Sequence, residues 1–359
     1  MKKEVFFNGR FLTQAITGVQ RTAYELVLAI DNLVEQGMID KNIYSFKLIY
    51  SGKIINQIEL KHIKVVKKGF LKGNLWEQLE LPFYTRKCLL ISMCTISSLF
   101  KRNQIVIVHD ASFLVNTQFF SFIFRTWYRV AIIALGKIAK QIVTVSNFSK
   151  SELIKHAHYK SGKISVIYNA AEHILRYNEP EDDFKNKVSH LKPYCLAVSS
   201  LGANKNFDGL SQALKKVNFN GFNMLVAGGI TPTLQSGVRD SSINYLGYVS
   251  NEELKFLYTN ASIFIFPSFY EGFGIPPLEA MISGCPCISS NTSSLQEVLG
   301  NACEYFDPKN IQDMASKIDN LINNTDRQRY LRKVGSERAL LYSWKKSAVG
   351  LYRLMVTMA

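Results

Sequence analysis

The stretch Phe266-Pro-Ser-Phe-Tyr-Glu-Gly-Phe-Gly-Ile-Pro-Pro-Leu-Glu-Ala280 places two carboxylates around a turn. Seven residues separate Glu271 from Glu279. An apolar run ends at Pro267-Ser268, and Pro277 suits the first turn of a following helix. Gly272 and Gly274, with Phe273 between them, precede that helix, so backbone N–H groups are open to an anion there. Glu271 then falls on the loop and Glu279 about one turn into the helix. A carboxylate in either place accepts hydrogen bonds from sugar or ribose hydroxyls. Acids near a helix start also act as simple dipole partners, and residue type alone leaves both roles open.

Other chemistry-bearing side chains are sparser. Lys205 is a cation on a polar loop after an apolar run, suited to a departing diphosphate or to plain solvent exposure. His109 ends an apolar strand beside Asp110, where it is either a reacting-site residue or a satisfied structural one. His156 and His158 lie two apart on a surface turn and are expected to be solvated. No Asp-x-Asp metal motif occurs, so no divalent ion and no bound cofactor are expected. The six cysteines (88, 94, 195, 285, 287 and 303) form no paired zinc spacing and suit buried apolar positions in a reducing compartment.

The elements that must hold these residues alternate. Expected strands in the first half are Ser45–Tyr50, Ile105–His109, Gln141–Val145 and Ser165–Ile167. Helices are expected at Val19–Glu35, Phe120–Gly136 and Lys150–Lys155, the last with a capped start in which Ser149 precedes Glu152 by three. A polar stretch, Arg176 to Lys192, suggests a linker. The second half is expected to carry strands at Tyr194–Ser199, Asn223–Ala227, Asn244–Tyr245, Ile263–Phe266 and Cys287–Ser289. Its helices are expected at Phe207–Lys216, Asn251–Asn260, Pro277–Ser283, Ser294–Leu299 and Ile311–Asn324. Such alternation over 359 residues predicts α/β architecture. It divides into two doubly wound, Rossmann-like domains facing across a cleft, with ligands at the carboxyl ends of the strands. The domains are expected at 1–175 and 176–339, with an amphipathic C-terminal segment, 340–359, docking on the first.

Charge is uneven. Residues 1–175 carry 24 Lys and Arg against 11 Asp and Glu, a surplus of +13, out of +15 for the chain. A basic half suggests an anionic partner. No aromatic-basic motif of the known nucleic-acid modules occurs, so no nucleic acid is expected. The N-terminus has too short an apolar run for a signal peptide. The stretch Phe113–Gly136 is broken by Asn116, Gln118, Arg125 and Arg129, so it is not expected to span a membrane. Its part from Phe119 to Arg129 could rest on a bilayer surface.

Taken together, these motifs resemble retaining glycosyltransferase family 4 of the GT-B fold. The resemblance rests on the Glu-x7-Glu stretch and continues through Gly284-Cys-Pro-Cys-Ile-Ser-Ser290, Ser293-Ser-Leu-Gln-Glu-Val298 and Tyr305-Phe-Asp-Pro308. Upstream it takes in Leu246-Gly-Tyr-Val-Ser250, Asn251-Glu-Glu-Leu254 and Ala197-Val-Ser-Ser-Leu-Gly-Ala-Asn-Lys-Asn206. In the first half it includes Thr17-Gly-Val-Gln-Arg21, Trp76-Glu-Gln78, Val108-His-Asp110 and Val143-Thr-Val-Ser146. The resemblance implies that Glu271, with Gly272, Phe273 and Gly274, meets the donor sugar and diphosphate. It implies that Glu279 holds the ribose, that Lys205 neutralises the diphosphate, and that Tyr248 and Val249 lie near the base. His109 would face the transferred sugar, and Gly18 would let the first helix approach the phosphates. The chain departs from the pattern at Ser199, where Gly is usual, and at Asn204, a donor-side position where Arg is usual. Arg21 could replace the lost charge.

The activity implied is hexosyl transfer without metal, with same-face attack in which the departing phosphate oxygen takes the acceptor proton. The Gly-Val-Gln-Arg and Trp-Glu-Gln elements look most like enzymes that transfer mannose from GDP-mannose in surface-polysaccharide (O-antigen or capsule) synthesis. A lipid-linked oligosaccharide acceptor and an anionic membrane surface, at the cytoplasmic face of the plasma membrane, are the implied partners. A sugar-nucleotide epimerase of the same fold and a non-catalytic nucleotide-sugar-binding protein are the competing readings.

Overall fold

A computed structural model of the chain describes residues 2–115, 122–198, 202–219, 221–229 and 243–358, with the backbone alone at 122–125 and 203. Ser199 and the first residues of the Phe119–Arg129 stretch lie outside the described residues. The chain forms two compact units, Met1–Asn169 with Ser343–Ala359, and Ala170–Tyr342.

The first unit is built on seven parallel strands: β1 (Lys3–Asn8), β2 (Tyr44–Tyr50), β3 (Ile63–Lys67), β4 (Leu89–Ser92), β5 (Gln104–Ile107), β6 (Gln141–Thr144) and β7 (Ile164–Val166). Their order is β3-β2-β1-β4-β5-β6-β7, with every pairing parallel. The chain leaves β1 toward one edge and returns on its other side at β4, so the direction of winding reverses there. The core strands β4, β5 and β6 are buried along their whole length, as parallel strands covered on both faces must be. Helix Gly18–Glu35 turns Leu26, Ile30 and Leu33 inward. Helix Trp344–Val356 packs on this unit: Ser347 Oγ donates to the Tyr168 carbonyl at 2.6 Å, and the Tyr352 and Tyr44 rings meet edge to face.

The second unit has six strands: β8 (Tyr194–Val198), β9 (Asn223–Ala227), β10 (Ile243–Gly247), β11 (Ile263–Phe266), β12 (Cys287–Ser290) and β13 (Glu304–Phe306). Their order is β10-β9-β8-β11-β12-β13, again all parallel. Winding reverses between β8 and β11. Cys195, Ala197, Val226, Ile263, Ile265 and Ile288 from the strands meet Leu210, Met314 and Ile318 from the helices in one core.

Two expectations need correction. The polar stretch Arg176–Lys192 is not a linker: it contains the helix Asp182–Ser189, with Val188 buried and the Phe184 ring edge-on to Phe256. Residues 170–175 also go with the second unit. His173 and Ile174 are buried there, and Lys255 Nζ donates to the Tyr177 carbonyl at 2.6 Å. Likewise, the cap expected at Ser149 lies one turn too late. Helix Asn147–Ala157 is capped by Ser146, whose hydroxyl accepts from the Ser149 N–H at 3.0 Å.

Candidate functional site

In the second unit, the loops that leave β8 and β11 meet beside the winding reversal, where open α/β sheets bind ligands. The Phe269 N–H donates to the Asn204 carbonyl at 2.9 Å and ties one loop to the other. This contact brings Lys205 Nζ to 2.6 Å from Glu271 Oε1, with both side chains still partly open to solvent. Asn204, at the position where the resemblance leads one to look for an arginine, therefore serves the loop through its backbone.

Glu271 is fixed from behind. Its N–H donates to Ser293 Oγ at 3.0 Å, and its carbonyl accepts from Ser294 Oγ at 2.9 Å. Ser290 Oγ and Thr292 Oγ1 donate to the Ser268 carbonyl at 2.5 and 3.3 Å. The exit of β12 thus holds the backbone of the turn and leaves the Glu271 carboxylate facing Lys205. Gly274 closes the turn with φ +93°, a left-handed conformation that favours glycine, and a Cβ there would meet Leu295 Cδ2 at 2.7 Å. Helix Ile275–Ile282 starts immediately after it, with Pro276 and Pro277 in its first turn.

Glu279 faces the other way, into a buried group. The Tyr258 hydroxyl donates to its Oε2 at 3.0 Å, and His173 Nε2 lies 2.8 Å from its Oε1. Burial, reinforced by the Glu279 carboxylate, holds the Tyr258 phenol well above its ordinary range, so it stays a donor. Tyr248 is exposed and Val249 half-buried at the end of β10, which forms the outer edge of the sheet.

Residues 178–338 match the family described as glycosyl transferases group 1. This region is a group 1 glycosyl transferase domain. The chain is 30% identical over 233 residues to O-antigen chain mannosyltransferase B of Escherichia coli, covering 60% of this chain and 61% of that protein. It is 34% identical over 227 residues to O-antigen chain mannosyltransferase RfbU of Salmonella typhimurium, covering 61% of each. The matched stretch therefore spans about three-fifths of these relatives' length. Among solved structures, sucrose-phosphate synthase from Thermosynechococcus elongatus superposes with a TM-score of 0.76 over 100% of both chains at 18% identity. That likeness concerns the fold, which is the two-domain α/β GT-B fold.

The group 1 domain thus contains Lys205, Asn204, Glu271, Gly272, Phe273, Gly274, Glu279, Tyr248 and Val249. Lys205 and Glu271 are brought together, while Glu279 and Tyr248 stand apart from that pair in separate surroundings. Sequence reasoning missed His173 and Tyr258 against Glu279, and Ser293 and Ser294 behind Glu271. Ser293 and Ser294 sit in a stretch that the resemblance already marked, and Ser293 has φ +54°. No such signal pointed to His173.

His109 and Gly18 belong to the first unit. His109 follows β5, is buried, and its Nε2 is 2.8 Å from the Met93 carbonyl at the end of β4. A carbonyl only accepts, so Nε2 carries the proton. Burial lowers the ring's pKa, and the neutral ring keeps Nδ1 as an acceptor. Gly18 opens the helix Gly18–Glu35 and is exposed, and the preceding Thr17 N–H donates to Gln20 Oε1 at 3.3 Å. Arg21 lies 3.6 Å from Glu25 on its own helix.

The first unit also holds a buried polar cluster at its own winding reversal. Glu77 is fully buried; Asn8 Nδ2 donates to its Oε1 at 2.6 Å, and Arg10 Nη1 to its Oε2 at 2.5 Å. Asn8 also donates to Ser92 Oγ at 3.2 Å, so the ends of β1 and β4 are joined. Burial pushes the Glu77 carboxyl above the usual carboxylate range, against the pull of Arg10 and Asn8. Burial also raises the thiol of the neighbouring Cys94 to about 12, which leaves it unreactive at neutral pH. Among the described residues no group of three or more His, Cys, Asp or Glu side chains could hold a metal ion, and no helix is long and apolar enough to cross a membrane.

Proposed function

We propose that this chain is a retaining glycosyltransferase that moves a hexose, mannose from GDP-mannose, onto a lipid-linked glycan in O-antigen or related surface-polysaccharide synthesis. The observation that carries the reading is the Lys205–Glu271 pair on the turn of a group 1 domain. A leaving nucleoside diphosphate develops charge that a fixed cation stabilises. Lys205 supplies that charge on the loop that meets the Glu271 turn, and the helix that follows the turn adds the partial positive charge of its N-terminus. Glu271 accepts hydrogen bonds from hydroxyls of the transferred sugar, and Glu279, held by Tyr258 and His173, accepts from the ribose on its remaining lone pairs. His109, neutral in the first unit, presents an acceptor nitrogen toward the sugar. Gly18 leaves the start of the first helix open to the phosphates, and Tyr248 with Val249 borders the base.

The proposed reaction needs no bound metal, because Lys205 and the helix start are the groups assigned to the diphosphate. The acceptor hydroxyl attacks from the face that the diphosphate leaves, and a phosphate oxygen takes its proton. Mannose is chosen because two similar proteins are named O-antigen chain mannosyltransferases. The protein works at the cytoplasmic face of the plasma membrane, where a lipid-linked acceptor lies.

The test is nucleoside diphosphate release from a panel of GDP-, UDP- and dTDP-sugars, in chelator, with a glycolipid extract as acceptor. Turnover of GDP-mannose alone, lost in Lys205→Ala, supports the reading. Turnover of another sugar nucleotide corrects the donor. Acceptor-independent isomerisation of the donor points to an epimerase, and binding without turnover to a non-catalytic protein.

A further inference from the structure

The segment between β3 and β5 leaves an unusual amount of apolar side chain in solvent. Phe70 is 92% exposed, Phe83 and Phe100 74%, Leu75 62% and Leu79 57%. Of the four large apolar side chains exposed beyond 70% among the described residues, three are here, the fourth being Tyr248.

Leu75, Leu79 and Phe83 form one face, with the backbone at Phe70 and Leu99 tied to the same helical segment. The backbone is helical from Gly73 to Tyr84, through a wide turn at Trp76–Glu80. Its inner side buries Trp76, Glu77, Gln78 and Leu81, which leaves Leu75, Leu79 and Phe83, spaced by four, in a stripe on the outer side. Phe70 is strapped beside this stripe, because its N–H donates to Glu80 Oε2 at 3.0 Å while Trp76 Nε1 donates to the Lys68 carbonyl at 2.8 Å. Phe100 is held at the other end: the Leu99 N–H donates to Gln78 Oε1 at 2.9 Å, and Lys101 Nζ to the Thr85 carbonyl at 2.6 Å. Five apolar side chains are thus presented by one anchored platform.

The rim of this platform is basic. Lys67, Lys68, Lys72, Arg86 and Lys87 are all exposed around it. Between residues 60 and 103 the only carboxylates are Glu77, which is buried, and Glu80, which is tied to backbone N–H groups. A protein partner of ordinary composition would not call for so one-sided a rim, whereas an anionic headgroup layer over acyl chains matches both parts.

We propose that the Phe70–Arg86 platform, with Phe100, is the surface by which this protein seats on an anionic bilayer. The apolar stripe enters the headgroup–acyl boundary, and the lysines and arginine lie against lipid phosphates. The proposal rests on the membrane part of the function proposed above but not on the donor or the reaction. It assigns the contact to residues other than those of the Phe119–Arg129 stretch.

The experiment is sedimentation of the full chain with vesicles of phosphatidylcholine containing one-third phosphatidylglycerol, against phosphatidylcholine alone. Leu79→Ser/Phe83→Ser and Lys72→Ala/Arg86→Ala/Lys87→Ala are the variants, with turnover of a soluble sugar nucleotide followed alongside. Wild type should prefer the anionic vesicles and lose binding in salt. The apolar pair should weaken partitioning about tenfold or more. Each removed cation should weaken it about fivefold. Donor turnover in the absence of vesicles should stay at the wild-type level, which also shows that the variants fold. No binding by wild type overturns the membrane reading altogether. Binding by wild type and both variants alike overturns this surface and returns attention to Phe119–Arg129. A loss of self-association in the apolar variant, with vesicle binding unchanged, assigns the stripe to a second copy of the chain instead.

Discussion

The two units solve the same topological problem differently. Each winds a parallel sheet outward from a central strand and back, and each collects charge at the carboxyl end where winding reverses. In the first unit the carboxylate, Glu77, is fully buried, and each of its oxygens has a neutral or cationic partner from β1 or its exit. In the second, Glu271 is held through its backbone by Ser293 and Ser294, while its carboxylate meets one partly exposed lysine. Protein groups fully occupy the first carboxylate and only position the second. That contrast separates a structural charge from one available for exchange with a ligand.

Substitution at the second reversal tests the contrast most severely. Lys205→Ala and Glu271→Ala are each expected to lower nucleoside diphosphate release about 100-fold or more, the scale set by removing one group that stabilises transition-state charge. Melting temperature should move little, since a partly exposed ion pair contributes about 1 kcal/mol or less. A large thermal loss in either variant would break the comparison, by making this pair as structural as Glu77.

At the first reversal the order of effects inverts. Glu77→Ala leaves Arg10 facing a void and is expected to cost about 3 kcal/mol in urea unfolding, short of the largest values because Arg10 is not wholly buried. Titration sharpens the point. Burial raises the Glu77 pKa above its unfolded value, so its contribution is fullest below that unfolded value and is lost as pH rises through the folded one. The stability of wild type relative to Glu77→Gln should therefore be greatest below the ordinary glutamate value of about 4.3 and fall as pH rises above it.

Much of the second unit was legible before any coordinates. Its loops are punctuated by Gly and Pro, so β9, β11 and the helix Asn251–Asn260 fall at their expected bounds. In the first unit, β4 lies inside Cys88-Leu-Leu-Ile-Ser-Met-Cys94, a run that is apolar except at Ser92 and has no period to reveal a strand. The helical segment around the wide turn at Trp76–Glu80 buries Glu77 and Gln78 and exposes Leu75, Leu79 and Phe83, the reverse of the usual amphipathic pattern. Helix Thr325–Ala339 is polar on most of its surface and escaped for the opposite reason. Site residues followed the same logic. Glu271 and Glu279 share one short stretch, whereas the approach of His173 to Glu279 joins positions far apart in the chain. Glu77 was visible as a motif, but nothing in the sequence placed it against Asn8 and Arg10.

The backbone of the Glu271 turn offers a finer probe. Gly274→Ala forces a side chain into a left-handed conformation and against Leu295 Cδ2 at 2.7 Å. Leu295 can give a little, so a cost of about 1–2 kcal/mol in unfolding is expected. The turn should shift as it yields, and donor KM should rise with it.

Ser294→Ala is the smallest of these changes and the most discriminating. It removes one hydrogen bond, from the Ser294 hydroxyl to the Glu271 carbonyl, and leaves the Glu271 carboxylate and Lys205 untouched. Ser294 is buried, so the lost bond should cost about 1 kcal/mol of stability. If the β12 exit only braces the fold, kinetics should be unchanged at temperatures well below melting. If it positions the carboxylate, the donor KM should rise about fivefold for an equivalent loss in binding. The turnover number should fall less, because the charge that stabilises the leaving group is still present. Ser294→Thr, which keeps the hydroxyl, should restore the KM. Rescue in KM without any matching change in melting temperature would show that the second carboxylate depends on its backbone support in a way that Glu77, held by its own side chain, does not.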